Sequence, residues 1–192
     1  MSNFVGELSD KICSMQNVSE KSKREEIEYG LEVLFSTFLS LIMVLAVSIF
    51  CRMLKECIMF LVAFMPLRTY TGGYHASTHI RCFFTLIIDM VVGALIMHSY
   101  NEYIYIISWS MIIASVIIVV AFSPIVHINH PMSKKQQILS RKKSIVILFM
   151  DVVVLLLMTL KKQQILLFSG SYGLASVAIS IMIAKYIKKR GE

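Results

Sequence analysis

Apolar residues fall in long runs separated by short polar stretches, and the lengths of those runs predict helices rather than strands. Gly30 to Cys51 is long enough, at about 1.5 Å per residue, to cross a hydrocarbon core of about 30 Å. Met53 to Leu67 is shorter, carries Lys55 and Glu56 at its start and stops at Pro66, so it reads as a short span or a half-helix. Cys82 to Met97, Tyr103 to Phe122, Ile145 to Leu160 and Ile165 to Ala184 add four more, for about six transmembrane or half-spanning helices. Ahead of them, Phe4, Leu8, Ile12 and Met15 recur at helical spacing among polar residues and predict an amphipathic helix on the membrane surface. The opening residues do not read as a signal peptide. The charged stretch from Glu20 to Glu28 cannot enter the bilayer.

Composition agrees with the pattern. The 192 residues are 57% hydrophobic and 16% charged, whereas a soluble domain averages about 45–50% apolar and about 25% charged. This predicts an all-α, polytopic integral membrane protein with a single domain and excludes a separate globular unit. Its expected segments are 1–29 amphipathic and charged, 30–67 a first helical pair, 68–81 a polar loop, 82–122 a helical hairpin, 123–144 a basic loop, 145–184 a last helical pair and 185–192 a basic tail. The net charge is +7. With six crossings and the N-terminus inside, 15 of the 19 basic residues fall on one side, and Arg52, Lys55, Lys161 and Lys162 on the other. The positive-inside rule then makes the richer side cytoplasmic, with both termini and the loops at 68–81 and 123–144. Charge held in the loops of a membrane protein excludes nucleic acid as the natural partner and points to anionic membrane lipid or an acidic substrate. The hexapeptide Lys-Lys-Gln-Gln-Ile-Leu occurs at 134–139 and again at 161–166, with unmatched flanks, so no structural repeat is read. It puts two lysines on the disfavoured side, a conflict that a reentrant fifth segment would remove.

One stretch concentrates the chemistry. Arg68 to Cys82 holds Gly72, Gly73, His75, His79, Arg81 and Cys82 within fifteen residues. Paired glycines permit positive φ and close backbone approach, hence a tight turn or a docking place for another backbone. They also offer amides to an oxyanion. Arginines at both ends would draw anionic groups. A thiol beside an imidazole suggests nucleophilic catalysis, because the imidazole generates the thiolate and later protonates the leaving amine. Arg81 would lower the thiol pKa electrostatically. His79 lies three residues before Cys82 and shares its face on a continuous helix, so spacing alone favours it. His75, seven residues before and about 10.5 Å along a helix axis, pairs only if the chain between is not regular helix. His75 and His79 have the i, i+4 spacing of zinc peptidases, but Ala76 stands where the catalytic glutamate would be, and no third ligand lies nearby. No metal and no cofactor is expected. Cys13, Cys51 and Cys57 have no neighbouring histidine, form no CxxC pair and read as small packed residues.

Two carboxylates, Asp89 and Asp151, fall inside apolar runs, where ionisable groups are costly and are functional candidates by default. Asp89 is seven residues after Cys82, on its face, and would orient a histidine or a substrate cation. The opposing reading places both near helix ends or beside a basic residue. A small transporter or channel with Asp89 and Asp151 lining a polar path is the alternative function. The second polar stretch, Ser123 to Ser144, carries Lys134, Lys135, Arg141, Lys142 and Lys143, which would fix topology or gather an acidic peptide tail.

Leu67-Arg68, Gly72-Gly73-Tyr74-His75-Ala76, Cys82, the Pro124 to Pro131 loop with Asn129 and the hydropathy profile resemble the accessory gene regulator protein B (AgrB) family of membrane endopeptidases in peptide quorum sensing. Val126 departs from that pattern, which often has an acidic residue there. The resemblance implies a cysteine peptidase with Cys82 as nucleophile and His75, rather than His79, as base. It also implies an AgrD-like precursor peptide with an amphipathic leader and an acidic tail, a homodimer, and no straight helix between residues 72 and 79. Attack by Cys82 would give an acyl-enzyme thioester. The peptide's own thiol then displaces the enzyme, so one thioester replaces another on the way to a thiolactone.

Overall fold

The computed structural model describes residues 21–72, 79–99, 101–125 and 133–190. The amphipathic helix expected at residues 2–18 lies outside them, as does most of the Pro124 to Pro131 loop, with Val126 and Asn129. Six α-helices follow in order: α1 Lys21–Phe50, α2 Leu54–Thr71, α3 His79–Ser99, α4 Ile104–Phe122, α5 Lys134–Leu160 and α6 Gln164–Arg190, with a 3₁₀ turn Asn101–Tyr103 before α4. The all-α class and the count of about six are therefore as expected. Three of the helices, α4, α5 and α6, are long and apolar enough to cross a membrane, while α1 and α3 carry shorter apolar stretches.

Helices run further than the apolar runs that announced them. Residues 134–144 form the first three turns of α5 rather than a loop, because Ser133 and Gln136 close a reciprocal capping box at its start. α5 is one continuous helix, so no reentrant segment relocates Lys161 and Lys162. α2 continues through Pro66 to Thr71. Proline removes one backbone donor, a defect that helices in membranes tolerate where neighbours restore the lost partners. Here Pro66 is exposed, and the turn beyond it is tied to the rest of the bundle, as described below.

α6 is the hub, with 61% of its apolar stretch buried, against 28% for α4 and 22% for α5. It packs most extensively on α2 and α4, and also on α5 and α3. Small residues make this possible. A Cβ on Gly173 would stand 2.8 Å from the Phe60 carbonyl oxygen, and one on Gly170 would stand 2.5 Å from Leu155. Tyr172, between these glycines, lies beside Phe168, with ring centroids 5.9 Å apart, and covers Gly93 of α3. The polar residues that share this interior bond within their own helices. Ser169, Ser171 and Ser180 donate to Ile165 O, Phe168 O and Val177 O at 2.9, 2.8 and 2.7 Å, so they add no unmet polarity.

The tight turns α1–α2 and α5–α6 are built alike. Arg52 and Lys162 take φ of 58° and 56°. Met53 N donates to Ser48 O and Gln163 N to Met158 O, at 2.8 and 2.9 Å, closing two Schellman motifs. Alternation of the helices brings both turns, with Lys55 and Lys161, to one end of the bundle. The ends of α2, α4 and α6 and the starts of α3 and α5 meet at the other.

Gly173→Ala should lower stability in detergent by about 1–3 kcal/mol, since backbone stands in the way, whereas Gly30→Ala, with open space around it, should add about 0.5–1 kcal/mol. Thermal unfolding of the two variants checks the pair. Replacing Lys162 by Gly should stabilise by about 1 kcal/mol through relief of its left-handed backbone.

Candidate functional site

The basic end of the bundle is assembled from chain segments far apart in sequence. Arg68, in the last turn of α2, donates through Nη1 to the Gly72 carbonyl at 3.0 Å and to the Ser180 hydroxyl of α6. One guanidinium thus caps the end of α2 and fastens it to the hub. The following residue pair meets the chain that leaves α4. Ile125 N donates to Thr71 O at 2.9 Å, and Gly72 pairs with Ile125 as a parallel bridge. Gly72 has φ of 68°, and a Cβ there would lie 2.6 Å from Ile125 O, so both conformation and space demand glycine. The backbone that docks at the first glycine is therefore the protein's own.

α4 and α5 are tied at the same level. Arg141 Nη2 donates to Val120 O at 3.4 Å. Ser144 donates to Arg141 O at 2.9 Å, and its oxygen lies 3.2 Å from the Ser123 hydroxyl, which is then the donor of that pair. Lys185 Nζ sits 3.4 Å from the Phe122 ring centroid, and Lys143 Nζ lies 5.0 Å from that of Tyr70, both within cation–π range. Segments 68–72, 120–125, 133–144 and 180–190 contain no acidic residue. Lys134 and Lys135 are exposed in the first turn of α5, where the helix dipole favours anions over cations. Their positive charge therefore does not serve the helix they start.

His79, Arg81 and Cys82 open α3, and their side chains lie outside what the structure describes, as do Gly73 and His75 altogether. The backbone of α3 is placed by its contact with α6. Asp89 Oδ1 accepts from Tyr172 Oη at 3.5 Å, Ser176 also faces that carboxylate, and Gly93 lies under the Tyr172 ring. Position 82 is two turns, about 10.5 Å along the axis, nearer the basic end. In this antiparallel register it falls at the level of Ser180, where Arg68 is anchored. Asp89 has Tyr172 as its partner, at a depth separated from that level by the same two turns.

Asp151 is placed quite differently. It lies in mid-α5 on the buried face that carries Ser144, Leu148 and Leu155, and its Oδ2 has no hydrogen-bond partner among the described residues. It is therefore far from either helix end and, among the described residues, hydrogen-bonds to no basic group through that oxygen. Asp89 is engaged by Tyr172, whereas Asp151 Oδ2 has no partner among the described residues. Cys57 is buried beside Phe60 and Cys51 is exposed at the turn. The sequence reading missed Ser180, Tyr172 and Ile125. A signal for the first two was available: Ser169, Tyr172, Ser176 and Ser180 recur at i, i+3, i+7 and i+11, a polar stripe at helical spacing along α6.

A helical membrane protein whose sequence carries His75 and Cys82 between the end of α2 and the first turn of α3, at its basic end, is the class these features define. The chain belongs to the accessory gene regulator B (AgrB) family, whose model matches residues 5–183. Two proteins described as AgrB-like, from Clostridium perfringens strains SM101 and 13, are each 27% identical over 136 residues, 68% of this chain and 63% of theirs. The matched stretch thus spans somewhat under two thirds of those relatives. No solved structure matches the chain.

Gly72→Ala should cost about 1–3 kcal/mol by forcing a side chain into a glycine-only conformation, read as a loss of melting temperature. Asp151→Asn should leave the melting temperature unchanged or higher, because it removes an ionisable group with an unmet oxygen. A fall of more than about 1 kcal/mol would mean the carboxylate is held by a partner.

Proposed function

We propose that this chain is a membrane-embedded cysteine endopeptidase that removes the C-terminal tail of an AgrD-like precursor peptide and promotes closure of the remainder to a thiolactone. Family membership over nearly the whole chain, together with the Gly-Gly-Tyr-His-Ala and Cys82 motif it contains, carries this reading. His75 accepts the Cys82 proton. The thiolate attacks the scissile carbonyl, the tetrahedral adduct collapses, and the departing amine takes the proton back from His75. The resulting acyl-enzyme thioester is attacked by the peptide's own thiol. Cys82 leaves as the thiol, and one thioester has replaced another with little loss of group-transfer energy. Water competes for the same intermediate, so a site at the membrane edge favours closure over hydrolysis.

Three features support the assignment. Arg68 fixes the Gly72 carbonyl, three residues before His75 in the sequence. The start of α3 lies at the level of that anchor. Lys134 and Lys135, with no structural task in their helix, suit an acidic tail, as does a surface whose four contributing segments lack acidic residues. The basic end is the cytoplasmic one in this reading. A transporter lined by Asp89 and Asp151 would need both carboxylates free on one path, whereas Asp89 is engaged by Tyr172.

Co-expression with short peptides encoded beside it, read by mass spectrometry, tests the reading. Cys82→Ala and His75→Ala should each abolish processing, whereas His79→Ala should retain at least part of it. Full processing by the Cys82→Ala protein would overturn the catalytic assignment. Lys134→Glu with Lys135→Glu should weaken capture of an acidic-tailed peptide without touching the thiol chemistry, seen as a raised KM with kcat kept.

A further inference from the structure

We propose that the groove between the end of α2 and α5 is a binding site for the headgroup and upper acyl chain of an anionic phospholipid. Its lining is Tyr70, Lys142, Lys143, Val146 and Ile147, enclosing about 270 Å³. Two chemistries meet there along one helix. Arg141-Lys142-Lys143-Ser144 ends the charged part of α5, and from Ile145 to Leu160 Asp151 is the sole ionisable residue. The boundary between water and hydrocarbon therefore crosses the groove itself. Tyr70, a residue type favoured at that boundary, forms the opposite wall, with Lys143 Nζ 5.0 Å from its ring.

The groove opens outward, since Lys142, Lys143 and Val146 are exposed. In a bilayer, an open interhelical groove at this depth is filled by lipid. Two ammonium groups at the rim, with no carboxylate in the lining, select an anionic headgroup, and Val146 with Ile147 offers the apolar wall a chain needs. Lys142 and Lys143 lie about two turns along α5 from Lys134 and Lys135, so the lipid seat is separate from the exposed lysines at the helix start. The site does not depend on the peptidase reading. It reaches the candidate site nonetheless, because Tyr70 stands two residues before Gly72.

The test uses the purified full chain in detergent, incubated with equal amounts of phosphatidylglycerol and phosphatidylcholine of matched acyl chains, with retained lipid counted by native mass spectrometry. Wild type should keep phosphatidylglycerol in preference to phosphatidylcholine. Lys142→Gln with Lys143→Gln should reduce that preference by about tenfold or more, whereas Lys134→Gln with Lys135→Gln should leave it intact. Val146→Trp, which fills the groove and keeps every charge, should also expel the lipid. Equal retention by the Lys142/Lys143 variant, or equal retention of the two lipids by wild type, would overturn the proposal. So would displacement of phosphatidylglycerol by a hexaglutamate peptide, which would assign the groove to an acidic chain instead.

Discussion

The close approach that Gly170 and Gly173 permit on α6 is the contact on which the rest of the bundle depends. Lipid tails are as apolar as leucine, so helices in a bilayer gain little from burying apolar surface and associate through packing and hydrogen bonds. Packing requires contact, and contact at α6 requires residues without side chains where Phe60, Met59 and Leu155 press in. With α2 held that close, Arg68 reaches Ser180. With Arg68 fixed, the Gly72 carbonyl is fixed too, at the end of α2. The placement of the candidate chemistry is thus a packing result before it is an electrostatic one.

Polarity in this molecule is spent at one end and neutralised elsewhere. Inside the bundle, hydroxyl groups are returned to their own backbones. At the basic end, Arg68, Arg141, Lys143 and Lys185 are engaged by carbonyls, a hydroxyl and ring faces. The partners of Arg141, Lys143 and Lys185 named here are a carbonyl and two rings, which carry no negative charge, so their positive field survives into the surrounding interface. It acts there over about 8 Å at physiological salt.

Much of the fold was legible because the membrane fixes the length of an apolar run. The three helices long and apolar enough to cross a membrane, α4, α5 and α6, each contain a run that hydropathy marks. Helix ends were less legible. At Pro66 the rule that proline stops a helix lost to long-range ties on Arg68 and Thr71, and at Lys134 a capping box extended the helix into residues that hydropathy assigned to a loop. The duplicated hexapeptide makes the limit plain. Lys-Lys-Gln-Gln-Ile-Leu is wholly helical at 134–139, behind the Ser133 cap, yet at 161–166 its first residues form a turn that closes α5. Local sequence is identical, and context decides. In the candidate site the sequence singled out Arg68 and Gly72, but Ser180 and Ile125 lie far away in the chain, where spacing has no reach.

The hub helix also follows the other five in the chain. During synthesis, which proceeds from the N-terminus, α1 to α5 are made before the element that most of them pack against exists. Until α6 arrives, Arg68 lacks its hydroxyl anchor and α2 and α5 have no glycine surface to close on. Assembly around the hub therefore waits for α6, and the Arg68 anchor at the basic end forms only once α6 is in place. A chain that stalls before Gln164 would leave five helices without the small-residue seat on which they close.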